Sequence, residues 1–206
     1  RDTMELREDA LVVSKHLTEL DHEVIEFTEI LESEGISYVI VSGYVAILTG
    51  RSRSTEDVDV IIESLTETET EELVEELKRR GYWGMAMPLD SMYELLDDGD
   101  RIRIAEEDEL IPNFEVWFAD SSLERNVLRS PLRTEVGGET LYVSPIERQI
   151  AYKLRLAQSA DSVTGKDFED ALHLYTTFEE QLKTEELERH VTELGVGKYY
   201  DELRRA

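Results

Sequence analysis

Residues 37–62 read SYVIVSGYVAILTGRSRSTEDVDVII, and this stretch decides the fold. Runs of β-forming residues at 37–41 and 57–62 predict two buried strands. Between them, Ser42 and Gly43 make a tight turn into a short apolar helix, which is followed by a polar loop. The order strand, turn, helix and strand predicts an α/β core.

The turn and the second strand carry residue types that suit phosphate and metal chemistry. Asp57 and Asp59 share one strand face, because successive side chains of a strand alternate between its two sides. Two carboxylates on one face repel each other unless a cation lies between them, and hard oxygen ligands suit Mg²⁺. Gly43 lets the backbone approach an anion, and the Ser42 hydroxyl can donate to a phosphate oxygen. Together these features predict phosphoryl or nucleotidyl transfer.

The motif resembles a known enzyme superfamily. Ser42-Gly43 followed by Asp57-Val58-Asp59 is similar to the signature of the DNA polymerase β-like nucleotidyltransferases. Residues 43–59 resemble more closely a small prokaryotic branch that includes the AbiEii toxins, with Gly-Gly-Tyr-Ala, then Gly, then Arg-x-Thr-x-Asp-x-Asp. The order and spacing match over about residues 36–175, but Ser42 stands where the first Gly is usual.

The resemblance implies three further site residues. The third metal carboxylate of the superfamily lies on a later strand in an apolar setting, which matches Glu115, with Asp120 as the fallback. A Lys and an Asp from the helical region approach the nucleotide, and they match Lys153 and Asp170. The alternatives are an outward-facing strand residue at 115, an ordinary amphipathic-helix lysine at 153 and plain helix-surface charge at 170.

The polar loop offers two more nucleotide-binding residues. Arg53 is interpreted as a triphosphate contact, since a cationic side chain beside an Asp pair in so acidic a chain favours that role over a solvated loop residue. Arg51 is the weaker choice. Thr55 either supports the backbone of the turn or contacts the nucleotide, and both interpretations stay open.

The composition of the chain is strongly acidic. Its 206 residues include 48 Asp and Glu against 22 Lys and Arg, which gives a net charge of −26. Only six of the basic residues are Lys, a balance that resembles proteins of salt-loving microbes. In molar salt the Debye length is about 3 Å, so that surface repulsion is screened. The alternative is an acidic protein made for a basic partner.

Cysteine and hydropathy exclude several classes of protein. The chain has no Cys, which rules out disulfides, thiolate zinc sites and a Cys nucleophile. No apolar run approaches 18 residues, so no membrane span is expected. The first residues lead into charged sequence without an apolar signal core, and we therefore expect a cytoplasmic protein.

The remaining pattern divides the chain into three parts. Residues 1–35 are predicted to hold one helix, at 4–34, that packs on the core, because apolar residues recur there at spacings of three and four. Residues 36–144 form the nucleotidyltransferase core, a small mixed sheet flanked by helices. Residues 145–206 form a helical bundle. Its helices are predicted at 145–160, 166–179, 184–194 and 197–205.

The leading hypothesis is a Mg²⁺-dependent nucleotidyltransferase, with Mn²⁺ as the alternative metal. Asp57, Asp59 and Glu115 would hold the metal, while Ser42 and the residues after it grip the triphosphate of an NTP. The AbiEii resemblance implies an RNA end or a protein hydroxyl as acceptor and an antitoxin as partner. A catalytically inactive nucleotide-binding or partner-binding module on the same fold is the alternative, and a homodimer is open.

Overall fold

The strand that carries Asp57 and Asp59 lies inside a mixed sheet in the computed structural model, which describes residues 2–206. The strands are β1 (Thr3–Leu6), β2 (Ala10–Ser14), β3 (Tyr38–Val41), β4 (Asp57–Ile62), β5 (Tyr82–Gly84), β6 (Ile102–Glu106), β7 (Asn113–Phe118), β8 (Leu132–Val136) and β9 (Glu139–Val143). The α-helices are α1 (Glu19–Ser33), α2 (Gly43–Leu48), α3 (Glu67–Arg79), α4 (Met92–Asp97), α5 (Ser122–Arg129), α6 (Ile146–Ser159), α7 (Lys166–Phe178), α8 (Thr184–Leu194) and α9 (Gly197–Arg205). In space the strands follow the order β1-β2-β8-β9-β3-β4-β7-β6-β5.

The register between β4 and β7 decides which side chains meet. The two strands pair in parallel, with Asp59 opposite Glu115. Because side chains alternate along a strand, both carboxylates of the Asp-x-Asp motif share a face with Glu115, and apolar side chains occupy the other face. That apolar face packs on α1, where the rings of Phe27 and Phe114 stack with centroids 4.0 Å apart. The hydrophobic core therefore holds the two acidic strands in one fixed register.

The segment before α1 is a β-hairpin, so the predicted single helix over 4–34 is wrong in its first half. Strands β1 and β2 pair antiparallel, and β2 also pairs in parallel with β8 at the edge of the sheet. Leu11 and Val13 in β2 are buried, which is the alternation of a strand. The helix begins only after a capping box formed by Thr18 and Asp21. The spacing of the apolar residues fits a helix on both sides of this boundary, so that spacing alone did not show where the helix begins.

Most other predicted elements are confirmed. The four predicted C-terminal helices are α6 to α9, with ends shifted by about one residue. Strands β8 and β9 form an antiparallel hairpin. The mixed α/β class is confirmed as well, whereas the division into three parts stays a prediction. The fold also contains the three-residue strand β5 and the helix α5, in which only Val127 is buried. Within residues 2–206, no helix has both the length and the apolar character that a membrane span requires.

A buried carboxylate joins α1 to α2. Tyr44 is fully buried, and its hydroxyl donates to Asp21 Oδ1 at 2.7 Å. The other oxygen of Asp21 pairs with Lys15 Nζ at 2.8 Å and accepts from the Thr18 backbone N–H at 2.8 Å. Burial alone raises the pKa of Asp21, but these hydrogen bonds and the Lys15 charge outweigh burial and place the pKa below its ordinary value. The ionised carboxylate therefore fixes the helix that follows the Ser42-Gly43 turn.

We expect Tyr44→Phe to lower the free energy of unfolding by about 1–3 kcal/mol, because Asp21 Oδ1 loses its donor inside the core. Urea denaturation at neutral pH measures this change. The matched control is Tyr199→Phe, which removes an exposed hydroxyl that donates to Asp161 at 3.3 Å and should change stability by less than about 0.5 kcal/mol. Equal effects of the two variants would contradict the assigned role of the buried contact.

Candidate active site

Three carboxylates converge on one face of the sheet. Asp57, Asp59 and Glu115 each present an oxygen atom, and these atoms lie within 4.8 Å of one another. All three side chains are half-buried. Asp59 Oδ1 is shielded from solvent and has no hydrogen-bond partner among residues 2–206. The structure thus brings together the three residues that the sequence predicted as metal ligands.

Crowding in this cluster shifts the protonation of Asp59. Its pKa rises to about 7, first because the carboxyl is buried and then because of its hydrogen bond with Glu115 and repulsion from Glu115 and Asp57. Positive charge nearby is modest: Arg101 and Arg103 lie 3.7 Å and 3.9 Å from the Glu115 oxygens, and both are about half exposed. A divalent cation would supply the missing charge, and the oxygen-only donor set fits such an ion.

Asp120, the fallback ligand, lies beyond the end of β7 and is exposed. Its backbone N–H donates to Glu124 near the start of α5. Asp120 is not among the three carboxylates that converge. Among the described residues, the geometry therefore favours Glu115 over Asp120 as the third carboxylate.

Ser42 occupies a backbone conformation that favours glycine. Its φ of 67° and ψ of −136° place it in a sparsely populated region for a residue with a Cβ. The Ser42 carbonyl accepts from Gln149 Nε2 at 2.8 Å, and Gln149 is fully buried on α6. Ser42, which stands where Gly is usual in the motif, therefore strains the backbone. The hydrogen bond from Gln149 helps to stabilise this conformation.

Gly43 makes room for a cationic side chain. A Cβ at this position would collide with the guanidinium of Arg53. The predicted triphosphate residue thus lies directly against the predicted phosphate turn. Thr55 faces elsewhere: its hydroxyl donates to the Asp57 backbone carbonyl at 2.9 Å, which braces the start of β4.

One buried carboxylate organises the basic residues of the site. Asp170 has no exposed side-chain surface, and Arg53 binds it through Nε at 3.0 Å and Nη2 at 2.8 Å. Arg51 Nε donates to it at 2.7 Å, and the buried Lys153 Nζ lies 3.0 Å away. The other contacts of Arg51 and Lys153 are with Glu169 and Asp167. Arg53, Lys153 and Asp170, predicted separately, form one cluster with Arg51.

Sequence reasoning missed Gln149 and Arg101, and it underrated Arg51. Gln149 carried no signal, because its contact with Ser42 spans 107 positions. Arg101 precedes β6 and lies two residues before Arg103, yet only the pairing of Arg103 with Glu115 shows that both face this carboxylate. The role of Arg51 was hard to predict for the same reason, because its partners lie on α7, far away in the sequence.

We expect Ser42→Gly to raise the free energy of unfolding by about 1 kcal/mol, because relief of the strained φ exceeds the added chain entropy of glycine. Urea denaturation measures the gain. Ser42→Ala keeps the Cβ and loses only the hydroxyl, so it should give no stabilisation. A gain of equal size in both variants would show that backbone strain is not the cause.

We expect Asp170→Asn to lower stability by about 3–5 kcal/mol, since it leaves three cations without their shared partner. Burial raises the pKa of Asp170, but the hydrogen bonds from Arg53 and the charge of Lys153 outweigh burial and bring the pKa below its ordinary value. The stabilisation is therefore complete above the unfolded pKa of about 4 and is lost as the pH falls through the lower folded pKa. Urea denaturation as a function of pH should show the difference from the native protein shrinking below about pH 4. Glu169→Gln, which removes an exposed partner of Arg51, is the matched control and should cost less than about 1 kcal/mol.

Three solved structures share this fold. An antigenic nucleotidyltransferase-like protein from Paracoccidioides brasiliensis aligns with a TM-score of 0.57 and 20% identity, over 85% of this chain and 87% of its own. The antibiotic-resistance factor ANT(2'')-Ia gives 0.54 and 17%, over 91% and 97%. The lincosamide antibiotic adenylyltransferase LnuA, in its lincomycin-bound structure, gives 0.51 and 15%, over 79% and 99%. At these identities the likeness shows the fold alone.

Sequence comparison assigns the family. No curated protein matches the chain. The model of a family described as "Nucleotidyl transferase of unknown function (DUF2204)" matches residues 21–196, which include the acidic strands, the Ser42-Gly43 turn and the Asp170 cluster. Because that match spans well over half of its length, the chain belongs to this nucleotidyltransferase family.

Proposed function

We propose that this enzyme is a Mg²⁺-dependent nucleotidyltransferase that moves a nucleoside monophosphate from an NTP to a hydroxyl acceptor. The observation that carries the proposal is the convergence of Asp57, Asp59 and Glu115 on one face of β4 and β7. The family membership supports the reaction class. Crowding half-buried carboxylates in this way lowers the stability of a protein unless a bound cation compensates their charge.

The donor set supports a hard divalent ion. Asp57, Asp59 and Glu115 would hold Mg²⁺, with Mn²⁺ as the alternative, because carboxylate oxygens suit both. The unpartnered Oδ1 of Asp59 provides an oxygen that no other described group uses. When bound, such an ion neutralises phosphate charge and makes a hydroxyl group easier to deprotonate.

The triphosphate would lie beside the Ser42-Gly43 turn. Arg53 is in place there, and of the five N–H donors of a guanidinium three are taken by Asp170 and the Ser54 carbonyl, which leaves two for phosphate oxygens. The Ser42 hydroxyl makes no capping hydrogen bond and can donate as well. Asp170 then acts on the nucleotide through Arg53, by fixing its orientation.

Lys153 and Thr55 have supporting roles in this proposal. Lys153 is 2% exposed and paired with Asp167 and Asp170, so it would keep the cluster charged and oriented. Thr55 braces the carbonyl of Asp57, so it would position the first metal carboxylate. Both residues contribute to the reaction by holding other groups in place.

Two classes of acceptor follow from different resemblances. The sequence resemblance to AbiEii-type toxins supports an RNA end or a protein hydroxyl, an antitoxin partner and a role in a toxin–antitoxin pair. The fold likeness to LnuA, whose structure holds lincomycin, supports a small-molecule acceptor. A cytoplasmic location in a salt-loving microbe is supported by the acidic composition, and a homodimer stays open.

We expect Asp57→Asn combined with Asp59→Asn to abolish Mg²⁺-dependent NTP binding and nucleotide transfer, because two of the three metal carboxylates lose their charge. Calorimetry with each NTP, with and without Mg²⁺ in about 2 M KCl to screen surface charge, measures binding. Asp97→Asn combined with Asp98→Asn changes two exposed carboxylates at the C-terminal end of α4 and should bind normally. Unchanged binding by the Asp57/Asp59 variant, or metal-independent binding by the native protein, would refute the site.

A further inference from the structure

A pocket of about 410 Å³ adjoins the three carboxylates on the same face of the sheet. Ile61 and Trp117 form part of its lining. They are the next residues on this face after Asp59 and Glu115, about 7 Å farther along the strands. Arg101 connects the two places, since it lines the pocket and also lies 3.7 Å from a Glu115 oxygen. A molecule in this pocket therefore lies within reach of the acidic cluster.

Helix α6 presents a cationic and aromatic stripe to the pocket. Arg148, Tyr152 and Arg155 line it, and their spacing of four and three places them on one helix face. Neither Arg148 nor Arg155 has a carboxylate within 4.0 Å anywhere in residues 2–206. Tyr152 adds a ring surface, and Val127 from α5 adds an apolar one. One face of the Trp117 ring is covered by the Arg101 guanidinium, 3.7 Å from the ring centroid. The lining suits a molecule with both a ring and a negative charge.

Helices α5 and α6, which line this pocket, carry net positive charge, whereas the chain as a whole is strongly acidic. Helix α6 has three basic residues and one acidic residue, and α5 has two Arg and one Glu, although the protein as a whole carries −26. By contrast, α3 has six Glu and two basic residues. Acidic groups do border the pocket, but Glu124 is already bound to Trp117 Nε1 at 2.7 Å. Asp120 and Glu193 line the pocket as well, and Glu193 lies 3.6 Å from His190. The charge of the lining is therefore mixed, and Arg148 and Arg155 are its contribution from α6.

Size and net charge together select a small molecule. A volume near 410 Å³ falls within the range of ordinary ligand pockets, about 300–1,000 Å³. At low salt, a long polyanion such as RNA would also meet the repulsion of a chain with −26 charge. A small anion needs only the local field of Arg148 and Arg155.

We propose that this pocket binds the acceptor, and that the acceptor is a small, ring-bearing, hydroxylated anion. The inference rests on the proposed nucleotidyl transfer. The triphosphate would lie at the start of β4, beside Gly43, and the pocket lies toward the end of β4. An acceptor there attacks from the side opposite the leaving pyrophosphate, as an in-line displacement requires.

The acceptor oxygen forms a bond to the α-phosphorus, and its proton passes to a carboxylate of the acidic cluster and then to water. The bond between the α-phosphorus and the bridging oxygen breaks, and pyrophosphate leaves with that electron pair. The product is a phosphodiester of the acceptor.

A pair of fluorescent probes tests the chemistry of the pocket without any need for catalysis. 8-Anilinonaphthalene-1-sulfonate carries rings and one negative charge, and N-phenyl-1-naphthylamine has the same rings without the sulfonate. We expect the full chain to bind the sulfonate at one site. Arg148→Gln combined with Arg155→Gln should weaken sulfonate binding by about tenfold or more, as expected for lost charge-assisted contacts, and leave binding of the neutral probe unchanged.

The control variant carries Arg125→Gln and Arg205→Gln, which remove the same charge at exposed positions away from the pocket lining. It should bind the sulfonate like the native protein. Equal weakening by both double variants, or equal loss of both probes, would overturn the inference. So would the absence of sulfonate binding to the native chain.

Two further measurements separate this inference from the proposed function. Saturating ATP with Mg²⁺ should leave the sulfonate bound, because donor and acceptor occupy opposite sides of the acidic cluster. Displacement of the sulfonate by ATP would assign the pocket to the donor and overturn the acceptor role. The Asp57/Asp59 variant should lose NTP binding and still bind the sulfonate, so that failure of the nucleotide site is distinguishable from failure of the pocket.

Discussion

The mutual repulsion of Asp57, Asp59 and Glu115 is the constraint on which the site depends. The ligand oxygens lie within 4.8 Å of one another. Two like charges about 4 Å apart cost about 4 kcal/mol at an effective dielectric constant of about 20. The opposite face of β4 and β7 outweighs this cost, because each large apolar side chain buried there contributes about 1.5–3 kcal/mol. Phe114 lies on that face and stacks on Phe27 of α1. The core thus forces the carboxylates together, and proton uptake by Asp59 or a bound cation relieves the repulsion.

The basic residues are scarce, and their placement follows from the same electrostatics. Arg51, Arg53 and Lys153 gather around the buried carboxylate of Asp170, which is possible only because that carboxylate is fully ionised and fully hydrogen-bonded. The cluster joins the loop before β4 to α6 and α7. Position 43 must be glycine for Arg53 to reach this arrangement. The helical region is therefore part of the site as well as a support for the sheet.

Local pattern made the centre of the site predictable. Asp57 and Asp59 share a strand face by spacing alone, and the resemblance to a known superfamily singled out Glu115 from a later strand. The hairpin before α1 was missed because apolar spacing in a charged segment fits a helix until Thr18 and Asp21 cap the true start. Contacts that join distant parts of the chain, such as Gln149 with the Ser42 carbonyl, leave no mark at either position in one sequence. Roles that rest on such contacts needed the three-dimensional structure.

The two basic regions lie on opposite sides of the acidic cluster, and this arrangement has a chemical reason. Transfer between a polyphosphate and an anionic acceptor brings two negative groups to the same phosphorus, in a protein that itself carries −26. Arg53 provides positive charge at the start of β4, where the leaving pyrophosphate would lie. Arg148 and Arg155 provide it beyond the end of the carboxylate row, where the acceptor would enter. Because the three carboxylates lie between these two cationic regions, a metal ion held there would meet the phosphate oxygens from one side and the acceptor oxygen from the other.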